Sequence, residues 1–236
     1  MVVGGRDDEY NYYSNAQLSS TTRSCSFLQN YTIAISGATG ALVFGQPMIC
    51  GGYYYRSECY HHSKASNSWK FLTNMTTKRA YSASVPVNGM LLVMGGHDGD
   101  NRLATTEYVS LDSNPSQPGP DLPTSQSQHC AVKLSNGQVM LLGGYPDKKS
   151  VIIFEPNTET FDQSLPSMTH SRQNAGCAVF NSPLHGNRQV VLAVGGYKQA
   201  TAEVLDYTQH NPTWTESMYR FWQILYCSLG RFVQME

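Results

Sequence analysis

The chain has 236 residues, of which 40% are hydrophobic and 14% charged, with a net charge of −1. That is enough apolar material for one large domain or a small array. The balance provides no basic excess for nucleic acid and no acidic tail, and no apolar run approaches the roughly 20 residues of a membrane helix. The predicted partner class therefore contains neither nucleic acid nor a lipid bilayer that the chain enters.

In chain order, the first element is Met1-Val2-Val3, closed by Gly4-Gly5. It reads as a strand and its turn rather than a signal peptide, so the chain is read as an excerpt that begins inside a repeat, with the compartment, cytoplasmic or extracellular, left open. The same signature returns at Pro47 to Cys50 before Gly51-Gly52, Met90 to Met94 before Gly95-Gly96, Val139 to Leu142 before Gly143-Gly144, and Val190 to Val194 before Gly195-Gly196. Short continuous apolar runs predict strands buried on both faces. Each glycine pair lets the chain turn, or pack closely, where a Cβ would clash. The near-constant spacing of the pairs predicts a repeat architecture.

The last full copy is the clearest. Met168-Thr169-His170-Ser171-Arg172 leads into a first strand over 175–180. A polar turn and a second strand over 189–194 follow. Ala202 to Tyr207 alternates as a half-exposed third strand does, and Trp214 sits on a short fourth. A second copy opens at Met75-Thr76-Thr77-Lys78-Arg79, with strands predicted over 81–87 and 90–94 and a third at Thr106 to Val109. Another has His129 to Val132, Val139 to Leu142 and Val151 to Phe154, but lacks both the arginine and the tryptophan. Four antiparallel strands in about 50 residues make one propeller blade.

Paired glycines, tyrosine or tryptophan at fixed offsets (Trp69 and Trp214 among them), and Met-x-x-x-Arg before the first strand together resemble the kelch repeat. The resemblance implies an all-β, kelch-type β-propeller of four-stranded antiparallel blades, either five-bladed or part of a six-bladed ring. The blades fall at about 30–73, 74–124, 125–165 and 166–217, with residues 1–29 completed by a closing strand from 218–236. It says little of function, because such a fold hosts many; a non-enzymatic protein- or peptide-binding scaffold is read from the repeat together with its tyrosine- and arginine-rich loops.

In a four-stranded meander, the loops after the second and fourth strands share one face. That face gathers Tyr53, Tyr54, Tyr55, Arg56, His97, Arg102, Tyr145, Lys148, Tyr197 and Lys198, with Arg79, Arg172 and Arg220 from the loops that enter each first strand. Tyrosine and arginine dominate interface energetics, and arginine clamps carboxylates. An acidic peptide is the partner such a ring of arginines suits. The other reading has these arginines bracing the blades by bonding loop carbonyls.

Cys130 and Cys177 hold matching places before Ala-Val and read as small core residues. Cys50 and Cys59 flank a turn, where they could bridge two hairpin arms or remain thiols. Two glycosylation sequons, Asn30-Tyr31-Thr32 and Asn74-Met75-Thr76, together with the Cys25, Cys50 and Cys59 group, motivate an alternative: an extracellular propeller binding matrix or glycan. No catalytic, cofactor or metal set is expected. His61-His62 are strand neighbours that point to opposite faces, and Asp98-Gly99-Asp100-Asn101 reads as a polar turn rather than a calcium loop.

Overall fold

The computed structural model describes residues 2–7, 11–19, 25–112 and 114–216. Five antiparallel sheets follow one another along the chain. The first holds β1 (Val2–Arg6), β2 (Tyr12–Ser19) and β3 (Cys25–Leu28). The second holds β4 (Thr39–Val43), β5 (Gln46–Cys50), β6 (Glu58–Ser63) and β7 (Ser68–Asn74). The third holds β8 (Ala83–Val87), β9 (Met90–Met94), β10 (Thr106–Val109) and β11 (Gln117–Gly119). The fourth holds β12 (Cys130–Lys133), β13 (Val139–Leu142), β14 (Val151–Glu155) and β15 (Thr160–Asp162). The fifth holds β16 (Gly176–Ser182), β17 (Arg188–Val194), β18 (Ala202–Leu205) and β19 (Trp214–Glu216). Each four-stranded sheet is a simple meander in sequence order. The expected closing strand over 218–236 lies outside the described residues, as does Arg220.

Hydrophobic clusters lie between successive sheets, which explains the continuous apolar runs of the second strands. In β9, Leu91 and Val93 pack with Val43, Met48 and Leu72 of the second sheet. Leu92 and Met94 point the other way, to Val139, Leu141 and Phe154 of the fourth. Adjacent strand residues face opposite sides, so a strand between two neighbours needs apolar residues in both registers. The third strands β10, β14 and β18 obey the same rule, whereas β6 keeps Tyr60 and His61 half-buried. Thr106 to Val109 and Ala202 to Leu205 are buried throughout, so the alternation at Ala202 to Tyr207 is not the half-exposed pattern it suggested.

The loop into each first strand has a constant plan. One residue plugs inward at a constant place, Tyr31, Met75, Leu122 and Met168, all buried, and the last three lie beneath the first glycine of the preceding blade's pair. A Cβ on Gly51 or Gly143 would press on the Met75 or Met168 methyl, respectively. Four residues later comes the position of Ile35, Arg79, Gln126 and Arg172, again buried. Two residues further, Gly37, Tyr81, Gln128 and Asn174 adopt positive φ, between 55° and 63°. Their main chains join blade to blade. The amide of Asn174 donates to the carbonyl of Gln128, Gln128 to Tyr81, and Tyr81 to Gly37, each at 2.8 Å. The left-handed conformation at Tyr81 is why β8 starts at Ala83 and not at Tyr81 as the sequence suggested.

Both described cysteine pairs are bonded. Cys50–Cys59 ties β5 to β6 across a directly opposed pair. Cys130–Cys177 joins the first strands of the fourth and fifth sheets, which corrects the expectation that these two are simple core residues. The two strands run side by side, and that brings matching repeat positions face to face.

Candidate functional site

The loops after each second strand and those entering each first strand meet on one face, as a meander requires. They are stitched together by main-chain bonds. The residue after each glycine pair donates to the carbonyl of the residue before the left-handed position: Tyr53 to Ser36, His97 to Ala80, Tyr145 to Ser127 and Tyr197 to Gln173, at 2.7 to 2.8 Å. The side chains that follow each glycine pair are thereby held on a main-chain frame.

On this face is an open depression of about 370 Å³. Its lining brings together five residues expected from the sequence, Tyr55, His97, Arg102, Tyr145 and Lys148. They are joined by Tyr81, Ser127, Gln128 and Gln173. The last four sit two or three residues before a first strand. Their constant offset was the available signal, but polar residues in a loop carry no mark of which ones face an axis.

The chemistry of the depression is cationic and aromatic. The Arg102 guanidinium lies 4.5 Å from the Tyr145 ring centre and the Lys148 ammonium 5.6 Å from it. Cation–π contacts of this kind hold the cations in place while leaving their hydrogen-bond donors available. The amide of Gly99 donates to Nδ1 of His97 at 3.0 Å, so Nε2 carries the ring proton. No carboxylate is among the lining residues. Asp98 is turned to its own loop, where its Oδ1 accepts from the amides of Asp100 and Asn101. Those bonds hold its carboxyl below the usual range.

Beside the depression lies a tyrosine array. Tyr12 and Tyr53 stack at 5.4 Å, Tyr53 and Tyr54 approach to 4.8 Å, and Tyr55 leans toward His97 at 5.8 Å. A hydrogen bond with Tyr12 raises the Tyr53 phenol above its ordinary value. Tyr54 is 71% exposed at the rim. Arg56 is half-exposed and lies 3.5 Å from Glu58. Tyr197 is exposed with Lys198 over its ring at 5.4 Å.

Two predicted contact residues are not on the surface. Arg79 and Arg172 are fully buried. Arg79 donates to the carbonyls of Gly95 and Thr105 and pairs with Glu107 at 2.5 Å. Arg172 donates to those of Gly195 and Thr201 and pairs with Glu203 at 2.8 Å. Each carboxylate also caps two loop amides, Thr76 and Thr77 or Thr169 and His170. Both arginines are therefore internal clasps on the glycine-pair loop, and neither reaches a ligand.

The outer strands are tied to the same loops. Trp69 donates to the carbonyl of Gln29 and Trp214 to that of Pro166, both at 2.9 Å. Glycine pair, plug, arginine clasp and outer tryptophan recur at fixed places in antiparallel four-stranded sheets. The model of the kelch motif matches residues 78–123, the third sheet with its entry loop.

The chain has a β-propeller fold with a kelch motif.

Among solved structures the propeller is similar to that of YjhT, with a TM-score of 0.67 and 16% sequence identity. The match covers 80% of this chain and 66% of the other, so this chain spans just under two thirds of that structure's length. Kelch propellers in general act as binding scaffolds. Among the described residues, no helix is long and apolar enough to cross a membrane.

Proposed function

We propose that this propeller is a non-enzymatic interaction scaffold that holds an acidic segment of a protein partner over the depression. The observation that carries this reading is the convergence of Arg102, Lys148 and His97 around Tyr145, with no carboxylate in the lining. Arginine beside a carboxylate makes charge-assisted, bidentate bonds, and the aromatic floor adds contact area at low entropic cost. Tyr53, Tyr54 and Tyr197 extend the contact to the rim.

The test is a peptide array in which acidic segments are matched with versions carrying Gln for Glu and Asn for Asp. Wild-type protein is expected to select the acidic members, and Arg102→Ala to weaken them on the order of tenfold or more, as the loss of a charged hydrogen bond does. Lys148→Ala should weaken them less and flatten the salt dependence. Undiminished capture by a folded Arg102→Ala/Lys148→Ala protein would place the partner elsewhere on the surface.

A second reading, favoured by the bonded cysteines, places the same scaffold outside the cell, binding matrix or glycan. Disulfides persist in oxidising compartments, and both described pairs are closed. Protein from its native source, alkylated without reduction, is expected to leave Cys50, Cys59, Cys130 and Cys177 unlabelled. Labelling of these four would return the protein to a reducing compartment.

A further inference from the structure

We propose that Asn30 and Asn74 are N-glycosylated, each at the outer end of a blade on the rim of the binding face. The two sequons are not scattered through the fold. Both stand immediately before the inward plug of an entry loop, Tyr31 in one blade and Met75 in the next. The plug buries the middle residue of each tripeptide, at 4% and 3% exposure, while Asn30 and Thr32, and Asn74 and Thr76, are exposed on either side of it.

This alternation leaves the acceptor asparagine on the solvent side, where the folded chain can accommodate a glycan added to it during synthesis. The equivalent places in the other two described entry loops, Asp121-Leu122-Pro123 and Ser167-Met168-Thr169, show the same exposed–buried–exposed pattern without the asparagine. The position is thus an outward-facing one in each of the four described entry loops, and two adjacent ones carry an acceptor there.

The backbone around each site is fixed while the asparagine stays exposed. Gln29, next to Asn30, accepts the Trp69 indole bond, and the amide of Tyr31 donates to Ser14. The amide of Met75 donates to Ser57. A glycan at either position extends from the outer edge of the face, whereas the depression lined by Arg102 and Tyr145 lies at the inner ends of the loops. The closed cysteine pairs supply the independent indication of the oxidising compartment in which such glycans are added.

The experiment uses the full chain from its native source, digested and treated with peptide N-glycosidase in heavy-oxygen water. Conversion of both Asn30 and Asn74 to heavy-labelled Asp is the expected result. Unmodified Asn30 and Asn74 peptides in the untreated digest would overturn the proposal, and one occupied site alone would overturn the other's assignment. Asn30→Gln and Asn74→Gln should each remove one glycan's mass from the intact protein. The deglycosylated protein is expected to keep its capture of acidic peptides, so failure of the glycan assignment is distinguishable from failure of the binding reading.

Discussion

Arg79→Met is expected to lower stability by about 3–5 kcal/mol, the usual consequence of leaving one member of a buried ion pair behind. The loss is larger than for a surface arginine because Glu107 is almost wholly buried and keeps its charge by design of its surroundings. Burial alone would raise its carboxyl pKa, but hydrogen bonds from Arg79 and Ser116 and from the Thr76 amide outweigh burial and hold it below the ordinary value. The sign of the acid response follows. A carboxyl with a depressed folded pKa contributes stability above the unfolded value, and that contribution is lost as pH falls through the folded one. In Arg79→Met the depression is reduced, so the gap between variant and parent should narrow in acid. Urea unfolding midpoints at neutral pH and near pH 4 read both effects. A variant within about 1 kcal/mol of the parent at neutral pH would show that the clasp is not a stability element.

The same protein contains its own uncharged comparison. In the second sheet Ile35 holds the arginine's place and Tyr60 the carboxylate's, and in the fourth Gln126 and Ile152 do so. Arg79→Met/Glu107→Ile should therefore recover part of the single variant's loss. Recovery stays incomplete because the amides of Thr76 and Thr77 lose their acceptor.

The second large effect is expected at the glycine pairs. Gly51 and Gly143 have φ of 65° and 61°, and a Cβ on either would sit inside the carbonyl oxygen of Arg79 or Arg172. The left-handed conformation costs alanine about 1–2 kcal/mol. The collision with fixed main chain adds to that, so Gly51→Ala and Gly143→Ala should each lose on the order of 3–5 kcal/mol. Gly137 is the control, with φ of 91° and open space around it. Gly137→Ala should lose only the conformational part. Equal losses at all three would mean that close packing is not why the pairs are there.

The glycine pairs, apolar runs and outer tryptophans were legible because each is a local pattern repeated in register. The arginines were half legible: bracing through loop carbonyls was one of the two readings and is the one the structure shows for Arg79 and Arg172, but a loop's place on a face does not say where its side chains point. Arg79 and Arg172 follow an inward plug by four residues, and their partners, Glu107 and Glu203, are single acids in otherwise apolar third strands. Pairing those two oddities would have predicted the clasp. The Cys130–Cys177 bond had a similar form, two matching positions 47 residues apart. It needed the further knowledge that consecutive first strands lie side by side. The depression was half legible: tyrosine, histidine and arginine after the glycine pairs stand out by chemistry, whereas Ser127, Gln128 and Gln173 take their place only from the geometry around the axis.

The links from Asn174 through Gln128 and Tyr81 to Gly37 are made by peptide groups alone. Any residue that tolerates a left-handed backbone can occupy these places, and four different ones do. The blade-to-blade links at these places are therefore made by main chain and not by side-chain hydrogen bonds. Gln128 can be exchanged for another residue that accepts a positive φ, a charged one included, without breaking them, whereas the Tyr81 ring also packs over Gly37. For engineering, this makes Gln128 a replaceable peg on a fixed frame.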